Sequence, residues 1–248
     1  TLSLVFALYF VNIKPVQASR ALIRGLQGVE GYGYSQNLPH FQRVFDLQTF
    51  GSTEASEHML NATLAVMSQD SYPQELKRSF LKLNVSELEQ QVLADPLDAR
   101  KHLIFGSFLG VISDPRATTE LETAAKLSPN KQTILFELGR QYWRTDQAGR
   151  ALAAFKRAYE LEPSFDEAAR FYSLALVYAG KIEEAPAGFF DHAVTLWQEK
   201  VKENPDDPQR HFSLGLVYFA QGDKTKAITE FTTAAKLNPA HKTEVDRI

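Results

Sequence analysis

Gln132-Thr-Ile-Leu-Phe-Glu-Leu-Gly-Arg-Gln-Tyr-Trp-Arg144 and Pro208-Gln-Arg-His-Phe-Ser-Leu-Gly-Leu-Val-Tyr-Phe-Ala220 are two copies of one pattern. Each runs on into a second segment. Gly139, Tyr142, Ala151, Phe155, Ala158 and Pro163 keep the spacing of Gly215, Tyr218, Ala227, Phe231, Ala234 and Pro239 throughout. An internal repeat fixes the architecture before any single helix is argued. Small residues stand where two helices must touch, bulky ones fill the space beside them, and a proline closes each copy. The pattern is a stacked helical hairpin, built to hold something and not to react with it.

The spacing resembles the tetratricopeptide repeat, whose period is about 34 residues. With Gln132 at the first position, Leu135, Leu138, Gly139 and Tyr142 form a first helix and Ala151, Phe155 and Ala158 a second. With Pro208 there, His211, Leu214, Gly215 and Tyr218 precede Ala227, Phe231 and Ala234. His211 departs from the large apolar residue usual at the fourth position. Two looser copies flank these. From Ala99 come His102, Phe105, Gly106 and Leu109, then Ala117, Leu121 and Ala124, with the Asp114-Pro115 turn one residue short. From Asp166 come Ala169, Tyr172, Ser173 and Leu176, and Gly180 ends that helix. Its second helix is marked either by Ala193 and Trp197, after an insertion around residues 182–190, or by Ala185 and Phe189. Pro186 favours the insertion. Asp207-Pro208 reads as a helix cap followed by Pro at the first turn, and Ser164-x-x-Glu167 as a capping box.

The expected fold is therefore all-α, a solenoid of four repeats at 99–131, 132–165, 166–207 and 208–241. Residues 36–98 read as irregular helix or degenerate repeats, from apolar positions such as Phe41, Val44, Met59, Leu64, Phe80 and Leu83 at helical period. Residues 14–35 read as a helix and a linker with Gly28, Gly31 and Gly33. Residues 1–13 are apolar except at Thr1, Ser3 and Asn12. As a helix, the first eleven span about 17 Å, against roughly 30 Å for a bilayer core. They read as the end of a transmembrane helix, with Tyr9 and Phe10 at the interface and Lys14 in water, or else as an apolar terminal helix.

A second resemblance bears on this end. Asn12-Ile-Lys-Pro-Val-Gln-Ala-Ser-Arg-Ala-Leu-Ile23 and Phe41-Gln-Arg-Val-Phe-Asp-Leu-Gln-Thr-Phe-Gly-Ser-Thr53 resemble the segment after the last membrane helix in bacterial O-antigen ligase/polymerase-like proteins with C-terminal repeats. The resemblance implies a bacterial cytoplasmic-membrane location with extracytoplasmic repeats. It brings no catalytic residue, because the parts that do chemistry in that family match nothing here. Lys14, Arg20 and Arg24 after the apolar run favour the alternative, cytoplasmic repeats.

Composition narrows the function. The chain has 248 residues, 44% hydrophobic and 23% charged, no cysteine, a net charge of −3 and a pI near 6.1. Such near-neutral charge speaks against nucleic acid, which selects a strongly basic face. Without cysteine there is no disulfide, thiolate metal site or cysteine nucleophile. The six histidines are scattered without ligand spacing, so neither a metal nor a cofactor is expected. Gly28-x-x-Gly-x-Gly33 follows no strand and is a linker, not a phosphate cradle. Asn61 and Asn84 begin glycosylation-type triplets that arise often by chance.

What remains is the groove lined by the first helices. Positions 2, 5, 9, 12 and 13 of each repeat face it, and they offer Phe136, Arg140, Trp143 and Arg144, then Arg170, Leu174 and Tyr178, then Phe212, Leu216 and Phe219. This aromatic and arginine-bearing strip suits a protein or peptide segment of apolar and acidic character. The alternative is that the chain's own helices fill the groove. The sequence thus reads as a non-catalytic interaction module. The main reading makes it the extramembrane part of a glycan-handling membrane protein, touching the membrane through its N-terminal segment. The alternative is a soluble repeat adaptor with no span.

Overall fold

A computed structural model describes residues 6–27, 33–49 and 51–241. Most of the glycine linker and the first five residues of the apolar run lie outside the described residues. Every regular element among them is a helix, and the chain divides into two compact units, residues 1–127 and 128–248.

In the first unit a π-helical turn, Tyr9–Ile13, leads without a break into α1 (Lys14–Leu26). Then follow α2 (Leu38–Asp46), α3 (Ser52–Ser68), α4 (Gln74–Ala94), α5 (Ala99–Val111) and α6 (Ala117–Leu127). Pro39 sits in the first turn of α2, where no intrahelical N–H bond is lost, while Pro15 follows the π-helical turn. Phe41, Ala55, Met59, Val66 and Phe80 form one core, and Leu88, Val92, Phe105, Phe108, Leu109 and Ala117 a second. The buried Asn37 amide donates to the carbonyls of Gly25 (2.7 Å) and Gln27 (2.9 Å), ending α1.

No helix among the described residues is long and apolar enough to cross a membrane. α1, which follows the apolar run, carries Lys14, Arg20 and Arg24 and buries Ala18, Ala21 and Gly25, whereas the described residues of the run itself, 6–13, are exposed. A β-carbon at Gly25 would stand 3.4 Å from the Phe41 ring, so this helix belongs to the unit's own core.

The second unit holds α7 (Gln132–Arg144), α8 (Ala148–Leu161), α9 (Asp166–Tyr178), a 3-10 turn at Ile182–Glu184, α10 (Phe189–Glu203), α11 (Pro208–Gln221) and α12 (Lys224–Leu237). Gly139 of α7 lies directly under the Phe155 ring of α8, and a β-carbon there would come within 2.6 Å of it. Gly215 and Phe231 repeat the arrangement between α11 and α12, also at 2.6 Å. Phe155 and Phe231 are buried. The two hairpins therefore close to a spacing that only glycine permits.

Between α9 and α10 the chain takes a longer course. Gly180 and Gly188 both adopt positive φ, at 65° and 73°, and Pro186 stands between them. α10 then buries Phe189, Ala193 and Trp197. The Trp197 indole donates to the Asp166 carbonyl (2.9 Å), tying α10 to the start of α9. Asp207 caps α11 by accepting from the Gln209 amide (2.9 Å), with Pro208 in the first turn. The capping box read at Ser164 does not form. The residue flanking α9 is Phe165, the Ser164 hydroxyl turns back to Glu162, and Glu167 pairs with Arg170.

Candidate peptide-binding surface

The site is assembled from rings that α7, α8 and α9 hold at helical spacing. Phe136 and Trp143 stand two turns apart on α7, both half-buried. The Phe136 centroid lies 6.3 Å from Phe155, 5.9 Å from Phe165 and 5.5 Å from Phe171. Trp143 lies 4.5 Å from Phe155, 6.0 Å from Phe171 and 5.5 Å from Tyr178. Phe155 and Phe171 stack in parallel at 5.0 Å and 7°. The six rings form one layer whose inner side is the interlock at Gly139. Its outer edges reach solvent, with Tyr178 66% and Phe165 37% exposed.

Charge frames this layer on one side. Arg140 and Arg144 are exposed on α7, Arg140 paired with Glu137 and Arg144 donating to the Gln141 side chain (3.4 Å). The Trp143 indole nitrogen is buried and has no hydrogen-bond partner.

The ten residues read from the sequence do not all meet. Phe136, Trp143 and Tyr178 join through direct ring contacts, with Arg140 and Arg144 beside them. Arg170 lies over Phe171, a ring of this layer, with its guanidinium 4.4 Å from that ring and 5.9 Å from the Trp197 ring of α10, and its side chain is only 13% exposed. Leu174 and Leu216 are buried in the core. Phe212 stacks on His241 at 5.1 Å and lies 5.6 Å from Phe231, and Phe219 is half-buried on the same helix, α11. Sequence reading missed Phe165 and Phe171. Phe165 stands before α9 begins, and Phe171 lies outside the positions taken to face the groove.

Deeper in the unit the polar groups are structural. Tyr172 packs against Tyr159 and Phe189, and burial pushes its phenol pKa up, helped by the charges of Glu160 and Glu184. Burial alone raises that of Tyr159. No cluster of three metal-ligating side chains occurs among the described residues.

Two stretches match family models described as tetratricopeptide repeat, residues 136–198 and residues 208–241. These stretches are tetratricopeptide repeats. Such repeats are non-catalytic protein-interaction modules, and this part of the chain is one. No curated protein matches the chain. Among solved structures, MamA from Desulfovibrio magneticus RS-1 is similar, at 18% identity over 75% of this chain and 96% of that one, with a TM-score of 0.49. YrrB, described as a TPR protein with an unusual peptide-binding site, is similar at 16% identity over 84% of this chain and 98% of that one, with a TM-score of 0.48. Neither the family models nor these structures carry the O-antigen ligase resemblance further.

Proposed function

We propose that the chain acts as a repeat adaptor that docks a protein segment against the ring layer of α7 and α9. The segment presents a bulky apolar side chain to Trp143 and Tyr178 and a carboxylate to Arg140 and Arg144. One observation carries this reading. Tyr178 is 66% exposed beside an indole whose N–H has no partner, although both belong to a ring layer that is otherwise packed. Large aromatic anchors flanked by arginine are the residue types that dominate interface energies. The adaptor reading is preferred to the extramembrane part of a glycan-handling enzyme, which neither family match supports.

A panel of synthetic peptides, each with one aromatic residue and either an acidic or a basic neighbour, tests the reading by calorimetry. Acidic peptides are expected to bind and basic ones not. Trp143→Ala should weaken binding by about 2 kcal/mol or more, roughly thirtyfold. Lys156→Ala, an exposed change on α8, should leave it intact. Equal binding by both variants sinks the assignment of this surface.

A further inference from the structure

Exposed apolar side chains gather on the helical stretch 6–26 of the first unit. Phe6, Leu8, Tyr9, Phe10, Val11 and Ile13 are all exposed, Phe6 at 65% and Val11 at 67%. With Ala7 they run through about two turns of helix, so every side of it is apolar except at Asn12. The run then meets Lys14, whose ammonium lies 5.0 Å from the Phe10 ring centroid. From there α1 has two different faces. Ala18, Ala21 and Gly25 are buried on one, where Gly25 meets Phe41 of α2. The opposite face shows Val16, Arg20, Ile23 and Arg24 at helical spacing, all exposed. The stretch 6–26 carries three cations and no carboxylate.

We propose that this stretch is a lipid-contacting element, which seats the first unit on the surface of an anionic bilayer. Residues 6–13 enter the acyl region, and the outer face of α1 lies at headgroup level. A protein groove or a partner helix covers one stripe of a helix and leaves its other sides in water. Hydrocarbon surrounds a helix, and so takes up a run that is apolar all round. As a helix, residues 6–13 are about 12 Å long, enough to enter one leaflet of a core of roughly 30 Å.

Charge selects the same partner. Lys14, Arg20 and Arg24 carry their cations on long apolar stems, which lie along hydrocarbon while the charge stays with the phosphates. Each basic residue near an anionic leaflet strengthens attachment about fivefold. A second copy pairing symmetrically through this stretch would instead set cations against cations, with no carboxylate between them. The element shares no residue with the ring layer of α7–α9, so either assignment can fail without the other.

The test is co-sedimentation of the full chain with vesicles, either phosphatidylcholine alone or equal parts phosphatidylcholine and phosphatidylglycerol. The wild type should bind the mixed vesicles at least about tenfold more tightly than the neutral ones. Phe10→Glu with Val11→Glu should abolish binding to both. These side chains are exposed, so the denaturant midpoint of that variant should match the wild type. Arg20→Glu with Arg24→Glu should remove the preference for the anionic mixture. Ile228→Glu, on α12 and 65% exposed like Phe6, should bind as the wild type does. Wild-type protein that stays with neither vesicle, or that binds both equally, overturns the proposal. So does binding that Phe10→Glu with Val11→Glu leaves intact. Sedimentation equilibrium without lipid covers the other occupant: self-association lost in that variant, with no vesicle binding, assigns the run to a second copy instead.

Discussion

The hairpin α7–α8 and the pair α9–α10 solve one packing problem in two ways. In the first, a short turn leaves the helices nowhere to go but against each other, and Gly139 lets Phe155 sit on the α7 backbone. In the second, residues 179–188 make a longer connection, and Ser173 stands where the glycine would be, its hydroxyl spent on the Ala169 carbonyl (2.8 Å). The second helix is then held by large rings at its start and its middle. Phe189 packs on Tyr159 and Tyr172 at 5.0 Å and 4.7 Å, and Trp197 hydrogen-bonds Asp166. A small residue beneath a large one sets the crossing where the loop is short. Large anchors set it where the loop is long.

The largest effect should come from the anchored pair. Trp197→Ala removes a buried ring, leaves the Asp166 carbonyl without its indole donor, and strips Arg170 of one of the two rings it covers. Losses of this kind run to about 3–5 kcal/mol. Denaturant unfolding should show that loss, and hydrogen exchange should place it first in α9 and α10. A loss under 1 kcal/mol would mean that the connection, not the anchor, positions α10.

The interlocked hairpins should respond to the opposite change. Gly139→Leu and Gly215→Leu push a side chain into the Phe155 and Phe231 rings, and overpacking costs about 1–3 kcal/mol each. Ser173→Gly makes the comparison sharper. Restoring the repeat's glycine to α9 should not stabilise it, and the helix-propensity penalty of about 0.5–1 kcal/mol should appear instead. A gain in melting temperature from Ser173→Gly would show that α9 and α10 wait for the same interlock.

How much of this was legible follows from where the information sits. Gly139, Phe155, Gly215 and Phe231 are readable because small–large alternation at fixed spacing has one packing consequence. The ring layer was only partly readable. Phe136 and Trp143 share one face of α7 and Tyr178 stands at a groove position of α9, but the contribution of Phe165 depends on how the chain enters α9, which no periodicity encodes. Arg170 was read as facing the groove, and it lies over Phe171 of the ring layer with Trp197 beyond it, a contact that depends on how α10 packs. The two histidine–glutamate contacts were half-legible: His102 and His211 share a repeat position, whereas Glu120 and Glu230 become their partners only once each hairpin is folded.

The smallest effect concerns how the helices of the two regions begin. At α11, Asp207 accepts from the Gln209 amide, and Pro208 supplies a first-turn residue with no N–H to satisfy. At α9 the flanking residue is Phe165, which has no capping oxygen, and the Ser164 hydroxyl is engaged with Glu162 outside the helix. Asp207→Ala should therefore cost about 1 kcal/mol. Ser164→Ala should stay within about 0.5 kcal/mol of the wild type, as for an exposed change away from any cap. Both are read from denaturant midpoints at constant pH. Equal losses would mean that Ser164 caps α9 in solution. The start of α9 would then shift by a residue, carrying Phe165 and its contact with Phe136 out of the ring layer. That link makes a small stability difference a test of the binding surface as well.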